Sequence, residues 1–314
     1  MKIAHMEILR TILKDKIFWT ALGLTIVFLS GGFVLLHFGL SDYGWAFFIL
    51  LPAVVGYGIG VNPESRWARV GLIIGLLLFL CFLLAFGLEG MVCVLMALPI
   101  LGLCMLAGVL IGYLARRFGW VKTPPKGPVL LLPFGVFLLG NAVERGFEQA
   151  PVVREVRTEI TLPYTPNEVY DAIKSVDTLD VAKSFLLNIG LPVPQKCVLE
   201  TEAIGGTRTC YFEGGKIVEK ITALEPGRIL KMDVTHYELT GRKWLGFREA
   251  IYTFEPLNGN QTKLTRITTY TSELYPRAYW EPLERLGIQQ EHDYVFRNLQ
   301  KDLLTAHPLE PQEQ

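Results

Sequence analysis

The chain lacks the marks of several large function classes. Its 314 residues carry no net charge, and only 19% are charged against 51% hydrophobic, which is too apolar for a disordered or nucleic-acid-binding chain. It has only five cysteines, and Cys81, Cys93 and Cys104 lie in apolar runs, so a disulfide-dense scaffold is excluded. No H-E-x-x-H, paired C-x-x-C or G-x-S-x-G occurs. The sequence therefore supports neither a metal site nor a serine nucleophile, and it calls for no cofactor. Gly56-Tyr57-Gly58-Ile59-Gly60 has the look of a nucleotide loop but follows no strand and lies in an apolar run.

Charge is also missing in a pattern. Residues 1–150 carry 11 Lys and Arg against 7 Asp and Glu, and residues 151–314 carry 19 against 23, so the halves are +4 and −4. At about 150 residues per domain, this predicts a membrane domain over 1–150, a soluble domain over 151–307 and a tail, 308–314. Charge-free stretches of 25, 21, 19, 26 and 17 residues lie between Lys16 and Asp42, Asp42 and Glu64, Arg69 and Glu89, Glu89 and Arg116, and Lys126 and Glu144. A spanning helix needs about 20 mostly apolar residues, with about 17 as the lower limit. Four spans are expected, and a fifth over residues 129–143, with Pro133 inside it, sits at that limit.

Basic residues near span ends stay on the cytoplasmic side. Lys2, Arg10, Lys14 and Lys16 precede the first span, Arg66 and Arg69 follow the second, and Arg116, Arg117, Lys122 and Lys126 follow the fourth; the opposite loops carry Asp42 and Glu89. The N-terminus is expected in the cytoplasm. Five spans place residues 145–314 outside, and a re-entrant fifth segment places them inside. The spans hold no Asp, Glu, Lys or Arg, whereas coupled transporters usually keep such residues, so the first half reads as an anchor or platform. Gly56 and Gly60, Gly71 and Gly75, and Gly108 and Gly112 are small-xxx-small pairs suited to close helix packing within one bundle.

From residue 152 the period changes to two: Val156, Thr158, Ile160 and Leu162 alternate with charged or polar neighbours, as in a half-buried strand. Thr165-Pro166-Asn167-Glu168 is a capping box with proline at the first helical position, so a helix region follows. Strands are expected over 196–203, 207–212, 216–224, 229–237, 247–255 and 263–271, with glycine or proline turns between most of them. A long helix closes the chain near Ala306, with Ile288, His292, Val295, Leu299 and Leu303 on one face and Pro282 set to delay or bend its start. The expected fold is α+β: an antiparallel sheet of about six or seven strands curled around the C-terminal helix, with a cavity between them.

This order of elements, with Gly190-Leu191-Pro192-Val193-Pro194, the run from Gly205 to Phe212, Gly215-Lys216-Ile217-Val218-Glu219 and Tyr275-Pro276-Arg277-Ala278-Tyr279-Trp280, resembles the START-like SRPBCC superfamily. More narrowly, it resembles the bacterial polyketide cyclase/dehydrase and lipid-transport group, including members with several N-terminal spans. The resemblance covers about half the chain. It implies a helix-grip domain and a hydrophobic ligand; the superfamily holds lipid carriers, receptors and cyclases alike.

Candidate cavity residues follow from strand faces: Arg208, Cys210 and Phe212 on one strand, Glu219 on the next, and Arg266 and Tyr270 with Thr268 on the last. Trp280 and His292 come from the helix. A buried Arg208–Glu219 pair is one reading and exposed cross-strand pairs the other. For His292 the choice is between a satisfied core histidine and an acid or base. If Gly205-Gly206 makes a two-residue turn, Cys210 faces Thr201, too far from Cys197 to bridge, and two free thiols are expected. The functions in view are a membrane-anchored domain binding a lipid or other hydrophobic small molecule, a cyclase or dehydratase, and a structural or sensory membrane protein. The expected partners are a membrane and that apolar ligand, with no nucleic acid.

Overall fold

The computed structural model describes residues 11–61, 65–121, 132–147, 151–239, 244–258 and 260–308. Lys2, Arg10, Glu64, Lys122, Lys126 and the tail beyond residue 308 lie outside the described residues. The chain divides into two compact units, one built mainly from residues 1–150 and one mainly from 151–272 and 278–314.

The first unit is helical: α1 (Lys16–His37), a π-helical turn (Ala46–Leu50) running into α2 (Leu51–Gly60), α3 (Ser65–Ala85), α4 (Met91–Arg117) and α5 (Leu132–Gly146). Among the described residues, three helices are long and apolar enough to cross a membrane: Lys16–His37, Arg66–Ala85 and Met91–Arg117. The second expected span is shorter than its charge-free stretch. Its helix covers only Ala46–Gly60, because Glu144 accepts hydrogen bonds from the backbone N–H groups of Trp45 (2.6 Å) and Ala46 (2.9 Å) and fixes the start there. The fifth helix has 15 residues. The six glycines of the small-xxx-small pairs lie at helix crossings. A Cβ on Gly56 or Gly60 would strike the α4 backbone at Met105 or Val109, and one on Gly108 or Gly112 the α2 backbone at Ala53 or Tyr57.

The second unit comprises β1 (Val152–Leu162), α6 (Pro166–Lys174), α7 (Phe185–Asn188), β2 (Pro194–Leu199), β3 (Thr207–Phe212), β4 (Gly215–Glu225), β5 (Ile229–Leu239), β6 (Leu245–Leu257), β7 (Gln261–Ser272) and α8 (Arg277–Ala306). The capping box at Thr165 and Glu168 is present. All neighbouring strands are antiparallel, in the order β1-β7-β6-β5-β4-β3-β2. Register shifts leave Thr222, Thr235 and Arg248 unopposed, and such bulges bend and twist strands. Helix α8 begins at Arg277, so Pro282 falls inside it without delaying it. Leu162, Val169, Ile173, Leu230 and Leu264 are completely buried with Tyr294 of α8, so the core lies between the sheet and the helices. Helix α8 also secures the segment before α7: Asn298 Oδ1 accepts from the Asp180 and Val181 amides, and Tyr294 donates to the Leu179 carbonyl.

Cys197 and Cys210 form a disulfide, contrary to the expectation of two free thiols. The error lay in the turn. Gly205 and Gly206 do not make a β2–β3 turn; Gly205 N–H donates to the Ile221 carbonyl and Gly206 accepts from the Ile221 amide. Residues 200–206 therefore form a longer connection, Leu199 pairs with Arg208, and Cys197 sits directly opposite Cys210.

Candidate functional site

The concave face of the sheet gathers charge. Arg208 and Glu219 are direct cross-strand partners on β3 and β4, with Nη1 3.0 Å from Oε2 and only 2% and 6% of each residue exposed. The exposed-face reading of this pair is excluded. The other guanidinium nitrogens donate to the Lys174 and Ile173 carbonyls, which end α6. Cys210 Sγ is 3.9 Å from Glu219 Oε2. Burial alone pulls the Arg208 guanidinium down; Glu219 and then Tyr252 outweigh it, so the charge is held.

A second pair lies across the curl. Arg266 of β7 pairs with Glu291 of α8 at 2.9 Å, both mostly buried. The Tyr252 ring of β6 stands between the two arginines, with their Cζ atoms 5.8 Å (Arg208) and 5.5 Å (Arg266) from its centroid. Arg266 is the direct cross-strand partner of Tyr252, but Arg208 is three strands away. In a flat sheet, three steps of about 4.8 Å would separate them by roughly 14 Å, so the curl makes the contact. Burial pushes the Glu291 carboxyl up against the pull of Arg266. Arg266 Nε is buried and has no hydrogen-bond partner among the described residues. An arginine with one donor left open beside an aromatic face can take an acceptor atom of a ligand.

His292 belongs to a different cluster. It is fully buried, with Nδ1 2.8 Å from Thr158 Oγ1 and Nε2 2.8 Å from Thr268 Oγ1. Burial first, then Arg266, holds its pKa well below the ordinary value, so the ring is neutral and both nitrogens are engaged. That is a satisfied core histidine, and no hydrogen bond joins it to Glu219. Tyr270 donates to Glu284 at 3.2 Å, and Ser272 donates to the same carboxylate at 2.6 Å. Trp280 is buried, and Phe212 is half-buried at the end of β3.

The structure thus brings Arg208, Cys210, Glu219 and Arg266 toward one interior region. Tyr270 joins Glu284, and His292 joins two threonines. Tyr252, Glu284 and Glu291 are not among the site residues expected from the sequence. Tyr252 was legible as the inward-facing aromatic of β6, whereas Glu291, beside His292 on the helix, carries no mark of burial.

No protein-family model matches the chain, and no curated protein matches it. Among solved structures, a START superfamily protein from Mycobacterium smegmatis is 9% identical, covers 48% of this chain and 98% of its own, and has a TM-score of 0.37. The Zhui aromatase/cyclase from Streptomyces sp. R1128 is 14% identical over 50% of this chain and 100% of its own, with a TM-score of 0.35. A norcoclaurine synthase from Thalictrum flavum is 12% identical over 51% and 99%, with a TM-score of 0.35. The seven-stranded antiparallel order and the long closing helix give the second half a helix-grip architecture, in a chain whose first half carries apolar helices.

Proposed function

We propose that the second half binds a lipid or other apolar small molecule with a polar head between the concave sheet face and α8, and that the first half anchors it at a membrane. The observation that carries this reading is the interior cluster of Arg208, Glu219, Tyr252, Arg266 and Glu291, with Arg266 Nε lacking an acceptor among the described residues. Buried ion pairs are often no more stabilising than apolar residues of the same volume, so a core built only for stability gains little from two of them. Perturbed charged groups of this kind concentrate where ligands bind. The apolar body of the ligand loses water against the sheet, and the Arg266 guanidinium fixes its head.

The test is native mass spectrometry of the full-length protein in mild detergent, with organic extraction of what copurifies. A stoichiometric apolar molecule that is lost in Arg266→Met supports the reading. A domain that stays empty from every membrane source, or a ligand retained unchanged in Arg266→Met, removes it.

Two observations support an extracytoplasmic second half. Asn141 of α5 donates to the Leu40 carbonyl, and Glu144 caps the helix that starts at Ala46, so α5 ends beside the 38–46 connection, the side opposite the basic loops. The Cys197–Cys210 disulfide suits an oxidising compartment. A membrane-impermeant thiol reagent applied to intact cells after reduction should reach a cysteine placed at Ile204, which is 71% exposed. Labelling only after lysis would place this half in the cytoplasm.

A further inference from the structure

Outside the interior cluster, the edge of β1 and the outer face of α8 border an open, shallow cleft of about 480 Å³. Ile160 and Phe296 are among its lining residues, and its polar wall is Ser184, Gln290, Asp293, Arg297 and Gln300. Asp293 and Arg297 are four residues apart on one helix and therefore neighbours on its surface. They are not paired with each other: Arg297 Nε donates to the Asp293 backbone carbonyl at 3.4 Å, leaving the carboxylate to the cleft. Glu159, also in the lining, is already committed to Lys263 at 3.0 Å and to Arg157. Ser184 Oγ is buried without a hydrogen-bond partner among the described residues. Burial raises the Asp293 carboxyl against the influence of Arg297, so a cationic donor placed beside it would be held by a partly dehydrated carboxylate.

The cleft thus presents an anion, a cation, two amides and an unsatisfied hydroxyl above an apolar floor. We propose that it binds a phosphate–ammonium zwitterion of the phosphoethanolamine type, the ammonium on Asp293 and the phosphate on Arg297. Gln290 and Gln300 flank the two charges, and Ser184 hydrogen-bonds the ligand's polar oxygens. This site does not depend on whether the interior between sheet and α8 is occupied.

The experiment titrates the full-length protein in mild detergent with short-chain phosphatidylethanolamine, short-chain phosphatidylglycerol and glycerophosphoethanolamine, read by native mass spectrometry. Phosphatidylethanolamine should bind about tenfold more tightly than phosphatidylglycerol, the size of one charge-assisted contact. Asp293→Asn should abolish that preference, and Arg297→Gln should weaken both lipids about equally. Glycerophosphoethanolamine that competes as well as the lipid supports a site for the free headgroup; failure to compete while the lipid binds supports a membrane-held one. Equal affinity for the two lipids, or affinities unchanged in both variants, overturns the proposal. Ligand copurification that depends on Arg266 is scored in the same variants, so failure of the cleft and failure of the interior site are read separately.

Discussion

The two halves of the chain solve close packing in opposite ways. In the first, helices meet where side chains are missing: Gly56, Gly60, Gly108 and Gly112 let α2 and α4 touch backbone to backbone, and Gly71 and Gly75 admit Phe18, Ala21 and Thr25 of α1. If these apolar helices lie in lipid, as proposed, water supplies no driving force between them, and contact and van der Waals packing must do so. In the second half, the space under the sheet holds two arginines, two glutamates and a tyrosine ring. Glycine contacts position helices but offer no chemistry, whereas buried charge offers chemistry at little gain in stability. Under the proposed function, that difference gives the first half a scaffold role and the second half a recognition role.

The most damaging way to break the comparison is Arg208→Ala. It leaves Glu219 buried without its cation and two α6 carbonyls without their donor, and losing one partner of a buried pair costs about 3–5 kcal/mol. Denaturant unfolding of the detergent-solubilised protein measures it. The double replacement Arg208→Met with Glu219→Leu should recover most of that stability. If the recovered protein also retains its ligand, the pair serves the fold and the recognition role falls to Arg266 alone.

Removing the disulfide comes next. Cys197→Ser with Cys210→Ser frees a 13-residue separation in the unfolded chain and should cost about 3 kcal/mol, seen as the same loss when the native protein is reduced. A smaller effect belongs to the first half. Gly108→Leu forces a side chain onto the Ala53 carbonyl and should cost about 1–3 kcal/mol, read as a lower melting temperature in detergent. Gly102→Leu, where no described residue lies within 4 Å, is the matched control and should leave melting unchanged. Equal effects of the two leucines would mean that the glycine crossings do not organise the bundle.

Much of the fold was legible because it follows local periods. Flanking glycine pairs marked β3 to its end residues, Thr207 and Phe212, and the Thr165–Glu168 box marked the start of α6. Length was less legible than polarity in the first half. The helix over Ala46–Gly60 starts where Glu144, 98 residues later in the chain, caps it, and no local pattern announces such a partner. The same holds for the disulfide: a Gly-Gly dipeptide reads as a tight turn, yet here it bonds to Ile221 of β4, and the register moves with it. At the site, Arg208 and Glu219 were visible as residues on adjacent strands. Glu291 was not, because its burial depends on Arg266 arriving from β7, which the helix pattern around it does not encode.

His292 gives the smallest effect and the sharpest test of whether the polar interior is one cluster or two. Its ring is buried, neutral and held between Thr158 and Thr268, with a pKa well below 6.5. A base whose folded pKa lies below its unfolded value binds more protons when unfolded. Its stability contribution is therefore complete above about pH 6.5 and is lost as pH falls from there toward the folded pKa. Over the first pH unit the loss is at most about 1.4 kcal/mol. Glu291 works in the other direction, since its folded pKa is raised, so the quantity to measure is the difference between native protein and His292→Gln in thermal unfolding from pH 7.5 to 5.5. The variant should be less stable at pH 7.5, and the difference should shrink as the solution is acidified. Ligand binding should survive in it if His292 and its threonines are purely structural; loss of ligand at unchanged melting would join the histidine to the arginine cluster and make the concave face a single site.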